Sequence, residues 1–186
     1  PVFFPPLGAD VLRRGHACRF RCHARGVEGV RVDVMAAMRG CDPFPDLWAR
    51  RHRMRLPRVG MVSVLALPDL VQAKKTQRDE DWSMGRRLVA AYNHRRPRRP
   101  AAGRVRFWLR EARTPEMLVE LCRRQPAAAR REAGARPAVV EALRGDLPAV
   151  EEALGAEERA CRRADREYWR PLRAEQERWR RERRRA

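Results

Sequence analysis

"LPDLVQAKKTQRDEDW", residues 67–82, holds both lysines of the chain, Lys74 and Lys75, side by side; every other one of its 43 basic residues is arginine. Pro68 suits the first turn of a helix, and Asp69 sets negative charge near the positive end of the helix dipole. From there Leu70, Val71, Lys74, Arg78, Asp81, Trp82, Gly85, Leu88, Val89 and Tyr92 recur at three- and four-residue steps, which predicts a helix running to about residue 93. Lys74, Arg78 and Asp81 then interrupt an apolar stripe. An ion pair between Lys75 and Asp79 at i,i+4 accounts for those two residues. It leaves the charges on the stripe unexplained, because buried charge is costly unless it is paired or employed.

Upstream, "CRFRCH" (18–23) and "VRVDVM" (30–35) alternate apolar with polar around "ARGVEG", which predicts a β-hairpin. Its core side is expected to carry Cys18, Phe20, Cys22, Val30, Val32 and Val34. The opposite side carries Arg19, Arg21, His23, Arg31 and Asp33, so Asp33 is expected to meet Arg19 or Arg21 across the hairpin. A short helix is expected over 45–51, then strand-like "RMRLP" and "MVSVLAL" around Gly60.

Downstream, "NHRRPRRPAAG" (93–103) has breakers and no periodicity and reads as a linker. Everything beyond it reads as helix. Thr114, Pro115 and Glu116 open one helix with Met117, Leu118, Leu121 and Cys122 on one side, Pro137 and Pro148 open two more, and the last carries Tyr168, Trp169, Leu172 and Trp179 with a kink expected at Pro171. The fold class expected is α+β: a partial mixed sheet with packed helices over 1–95, a linker at 96–103, and an all-helical domain over 104–186.

The 186 residues are 44% hydrophobic, enough for a core, and carry a net charge of +19 with a pI near 11.5, compatible with a phosphate-bearing partner. Scarce lysine beside abundant arginine, alanine and proline is also what a GC-rich coding sequence produces. No apolar run is long enough to span a membrane, and the opening "PVFFPPLGAD" has neither a basic nor an apolar leader region, so the cytoplasm is the expected compartment and no membrane partner is expected. Five scattered cysteines suit a reducing environment. His16, Cys18, Cys22 and His23 are potential zinc ligands, but strand alternation sends His23 away from the two cysteines, and packed thiols are the expected state. The C-terminal "RWRRERRR" (178–185) offers arginines for a phosphate backbone with Trp179 as a stacking surface, or else a solvated helix end.

A strand carrying an aspartate, "VRVDVM", then "LPDLVQAK", then "RDEDW", resembles the later motifs of the nucleotidyltransferase superfamily with the DNA polymerase β-like fold, in the branch of abortive-infection toxins. The resemblance covers residues 1–95. It implies transfer of a nucleoside monophosphate from an NTP to RNA or protein, with Mg²⁺ held by three carboxylates on neighbouring strands. On it, Asp33 matches the third carboxylate, a catalytic metal ligand. Lys74 matches the catalytic, nucleotide-binding lysine that faces the triphosphate, Arg78 joins it in nucleotide binding, and Asp79 and Asp81 support that helix. An ammonium is a movable point charge and a guanidinium a rigid fork, which gives a reason for lysine to persist at 74. RNA or tRNA and a cognate antitoxin are the further partners implied.

The chain departs from that pattern in containing no Gly-Ser dipeptide, and its single D-x-D, Asp79 to Asp81, follows the third carboxylate. The core is therefore expected to be truncated or degenerate and inactive as it stands, with Mg²⁺ and transferase activity tied to an upstream segment that supplies the missing carboxylates. The alternative, from a different class, is a basic nucleic-acid-binding helical module without enzymatic activity.

Overall fold

The computed structural model describes residue 5 and residues 7–95 and 97–185; Arg96 of the Pro/Arg stretch and Ala186 of the tail lie outside the described residues. The chain is α+β; among the described residues two separate two-stranded antiparallel sheets stand before residue 65, with helices thereafter. It forms two compact units, Pro1–Asp69 with Arg166–Ala186, and Leu70–Asp165.

In the first unit a short helix, α1 (Ala9–Arg13), precedes β1 (Cys18–Arg21) and β2 (Arg31–Val34). The two strands form the expected hairpin, with Cys18 opposite Val34, Arg19 opposite Asp33 and Phe20 opposite Val32. Gly26 and Gly29 in its turn adopt φ of 83° and 76°, which only glycine enters without strain. Burial departs from expectation: Cys18 is fully buried, but Val30, Val32 and Val34 are 49%, 45% and 41% exposed. Alternation decides which side a residue takes; it does not supply a cover, and a two-stranded ribbon has little surface with which to bury its own face.

Next come α2 (Phe44–Ala49), with Pro45 in its first turn, and a second hairpin, β3 (His52–Leu56) with β4 (Gly60–Val64). Arg50, just past α2, donates to both oxygens of Asp69 at 2.9 and 2.7 Å and to Asp42 at 2.6 Å. This bidentate fork ties the end of α2 to the residue that opens the next helix. His16 is fully buried, with Nε2 at 2.7 Å from Glu175, Nδ1 at 3.2 Å from Gln176 and its ring centroid 4.8 Å from that of Trp179.

The single helix expected over 68–93 is instead two, α3 (Leu67–Ala73) and α4 (Asp79–His94). The reason is local. The Trp82 indole N–H donates to the Thr76 carbonyl at 2.6 Å, taking the acceptor that Glu80 N–H would need in a continuous helix. The Thr76 hydroxyl accepts from Arg78 N–H at 3.1 Å, a side-chain turn that competes with helix. Asp79, Glu80 and Asp81 then fill the first turn of α4, where the dipole favours negative charge.

The second unit continues through α5 (Ala102–Glu111), α6 (Pro115–Arg124), α7 (Pro126–Ala133), α8 (Pro137–Arg144) and the start of α9 (Leu147–Arg185). Proline stands in the first turn of α6, α7 and α8, where its missing N–H is harmless. Leu118, Leu121 and Cys122 of α6 pack with Trp108, Leu109, Val139 and Val150 in one core. Burial pushes the Cys122 thiol up to about 11, which keeps it an unreactive packing group. Arg136 is 6% exposed; it donates to the carbonyls of Leu109 and Ala112 and to Glu157 of α9 at 2.9 Å. A buried cation thus closes the C-terminal end of α5, where free carbonyls gather.

Candidate functional site

The break between α3 and α4 places Lys74 and Arg78 in a connecting loop and Asp81 in the first turn of the second helix. Asp81 is 2% exposed. Its Oδ1 accepts from Lys74 Nζ at 2.8 Å, and its Oδ2 accepts from Thr76 Oγ1 at 2.7 Å and Arg78 Nε at 2.9 Å. Burial by itself would raise the Asp81 pKa; the hydrogen bonds from Lys74 and Thr76, with the charges of Lys74 and Arg78, outweigh it and hold the carboxyl below its ordinary value. Asp81 is therefore an ionised anchor with its acceptors occupied, unsuited to taking a proton.

Asp79 diverges from it, as side chains two apart on a helix must: its side chain is 92% exposed and meets Arg162 of α9 at 2.6 Å. The partner expected for Lys75 is Asp79. Lys75 meets Glu111 at 2.7 Å instead, because the helix that would set the i,i+4 geometry does not run through both residues. The loop backbone is also held from α9: Gln77 N–H donates to Asp165 at 3.0 Å, and Arg162 donates to Gln77 O at 2.9 Å.

Lys74 has a quarter of its side chain exposed. It borders a cavity of about 10 Å³, also lined by Trp82 and Arg113, room for about one water. An ammonium has three donors, so the bond to Asp81 leaves others to address an anion. What the arrangement can do chemically is fix one positive point charge at a half-open position.

Asp33 lies in the first unit and Lys74 in the second, each ion-paired within its own unit. Asp33 accepts from Arg19 Nε at 3.0 Å, one of the two cross-hairpin partners expected, and has Arg31 at 3.8 Å. The residues present do not fit the Mg²⁺ that the resemblance implies. Asp33 is engaged by two guanidinium groups, and among the described residues no three His, Cys, Asp or Glu side chains gather to hold a metal. The same holds for His16, Cys18, Cys22 and His23, with His16 spent on Glu175 and Gln176.

At the C-terminal end, Trp179 is not the open stacking surface the sequence suggested. It packs against His16, and the Arg14 guanidinium lies 5.1 Å from its ring centroid. Arg178, Arg181, Arg183, Arg184 and Arg185 are exposed. Sequence reasoning did not single out Thr76, Glu111, Arg162 or Asp165. For Thr76 a signal was present, a threonine just ahead of three consecutive acids, the pattern of a helix start. Glu111, Arg162 and Asp165 lie 36, 85 and 88 residues from their loop partners and carried no local signal. No family model, curated protein or solved structure matches the chain. Among the described residues no helix is long and apolar enough to cross a membrane.

Proposed function

We propose that the chain is a nucleotidyltransferase-like protein of the kind that moves a nucleoside monophosphate from an NTP to RNA or protein, with Lys74 as its triphosphate-facing cation. The observation that carries this reading is the Lys74–Asp81 pair. A buried carboxylate, held ionised, fixes an ammonium that keeps free donors and a quarter of its surface open. Arginine would suit this place less well, since a planar fork on Asp81 spends two donors at once and cannot follow a phosphate as a point charge does. Arg78 shares Asp81, and Asp79 with Arg162 braces the start of α4. Asp33 takes the part of a metal-binding carboxylate only if Arg19 and Arg31 release it and further carboxylates join it.

These 186 residues alone are therefore expected to transfer no labelled nucleotide from any of the four ribonucleoside triphosphates to RNA or protein, with Mg²⁺ or Mn²⁺. One carboxylate does not displace enough of the water from a hydrated Mg²⁺. A longer chain that adds a Gly-Ser turn and D-x-D ahead of Asp33 is expected to transfer, and Lys74→Ala is expected to abolish that transfer. Metal-dependent transfer by the 186 residues themselves would falsify the alignment of Asp33 with the third carboxylate.

A second reading, a basic nucleic-acid-binding module, is favoured by the exposed arginines at the end of α9. If they meet phosphates, replacing Arg183, Arg184 and Arg185 with Gln lowers the slope of log affinity against log salt by about 2 on single-stranded RNA, at ~0.7 per contact. An unchanged slope assigns them to a solvated helix end.

A further inference from the structure

Within the second unit, a cavity of about 390 Å³ opens where the residues before α5 meet α5 and α6. Pro97, Pro100, Trp108 and Leu121 give it an apolar wall, and Arg98 and Arg124 stand at it. Beside it lies a second cavity of about 260 Å³, sharing Pro100 and Gln125 and carrying Arg106 and Arg131. Arg98, Arg106 and Arg131 are exposed and have no carboxylate partner among the described residues, while Arg124 is shared with Glu120 and Glu132 is occupied by Arg110. Positive charge therefore outweighs negative around both spaces.

Its size makes this more than a basic patch. The larger cavity falls in the size range of small-ligand clefts, about 300–1,000 Å³, and exceeds what a bare phosphate fills.

We infer that these adjoining cavities bind nucleotide. A base sits in the larger cavity against the proline rings and Leu121, and its phosphate meets Arg98 and Arg124. Arg106 and Arg131 stand where a neighbouring phosphate would follow. A free nucleotide and a single strand of RNA share this chemistry; the second cavity, with its own pair of arginines, favours the strand. The inference does not depend on the role of Lys74, because none of these residues belongs to the loop at 74–81.

The test uses the full chain at about 0.15 M salt, where exposed charge is well screened. Binding of a fluorescent nucleoside monophosphate and of an end-labelled oligouridylate of about ten nucleotides is compared for the wild type and two double variants. Arg98→Glu with Arg124→Glu alters the cavity; Arg87→Glu with Arg163→Glu makes the same change of net charge on exposed helical positions. We expect the cavity variant to weaken oligouridylate binding by at least about tenfold and the control by less than about twofold, with unchanged helical circular dichroism. Lys74→Ala is expected to leave this binding within about twofold. Monophosphate binding lost in the cavity variant alone assigns the site to free nucleotide, and binding of the oligomer alone assigns it to RNA. Equal weakening in the two double variants, or no binding of either probe by the wild type, overturns the inference.

Discussion

Replacing Asp81 with Ala is expected to lower the stability of the second unit by about 3 kcal/mol, the scale for breaking a buried ion pair. Three donors converge on this carboxylate. Without it Lys74 and the Thr76 hydroxyl keep no acceptor of equal quality, and the turn that separates α3 from α4 loses its anchor. The figure stands at the low end of the range because Arg78, half exposed, can return to water. The pH dependence follows from the sign of the shift. The folded-state pKa lies below the unfolded value of about 3.9, so the contribution is full above that value and is lost as pH falls through the folded pKa. Urea unfolding of wild type and variant is therefore expected to show a wide gap near neutrality that narrows below about pH 4. A gap independent of pH would mean that Asp81 acts by packing alone.

Arg136→Met is expected to cost about 4 kcal/mol, although the side chains are similar in length and the site is lined by apolar helices. The change strands two backbone carbonyls, those of Leu109 and Ala112, and removes one of two cations on Glu157, the other being Arg113 at 2.7 Å. Methionine fills the space but donates nothing. Thermal unfolding checks this, with Arg123→Met, an exposed arginine of α6, expected to change little. Comparable losses in both would show that charge number, and not the buried contacts, governs stability.

How far the fold could be read depended on the range of the forces that set each element. Alternation with turn glycines announced the first hairpin and strand-like segments around Gly60 where the second stands, and proline before an apolar period announced α6, α8 and α9, since those signals act over a few residues. A pairing of Asp33 with Arg19 or Arg21 was legible from the hairpin, and the register, with Arg19 opposite Asp33, selects Arg19. The stretch at 67–94 misled because its apolar spacing at 70, 71, 82, 85, 88 and 89 fits one helix, and the spacing survives a five-residue break that preserves the phase. What ends α3 is a side-chain bond from Trp82 to a carbonyl and a threonine turn, both local, but neither alters the apolar spacing. The partners of Lys75 and Gln77 come from Glu111 on α5 and from Arg162 and Asp165 on α9, which spacing within the segment cannot encode. The exposed valines of the first hairpin record the same limit, since a period of two says which residues share a face and nothing about what covers it.

The opening pair of lysines supplies the most direct test of the proposed site. Lys74 holds Asp81 with donors to spare, while Lys75 is engaged by Glu111 with its side chain 15% exposed. Both are ion-paired, so truncating either one breaks an ion pair, and Lys75 serves as the control for Lys74. The measurement is equilibrium binding of a fluorescent ribonucleoside triphosphate in the Arg98→Glu, Arg124→Glu background, which removes the cavity of the second unit as a competing site, with melting temperatures read in parallel. The account predicts that Lys74→Ala weakens binding by about tenfold or more, the loss of one charge-assisted phosphate contact, and that Lys75→Ala changes it by less than about twofold. Equal effects of the two substitutions, or triphosphate binding indifferent to Lys74, would contradict it and leave the Lys74–Asp81 pair as a structural brace.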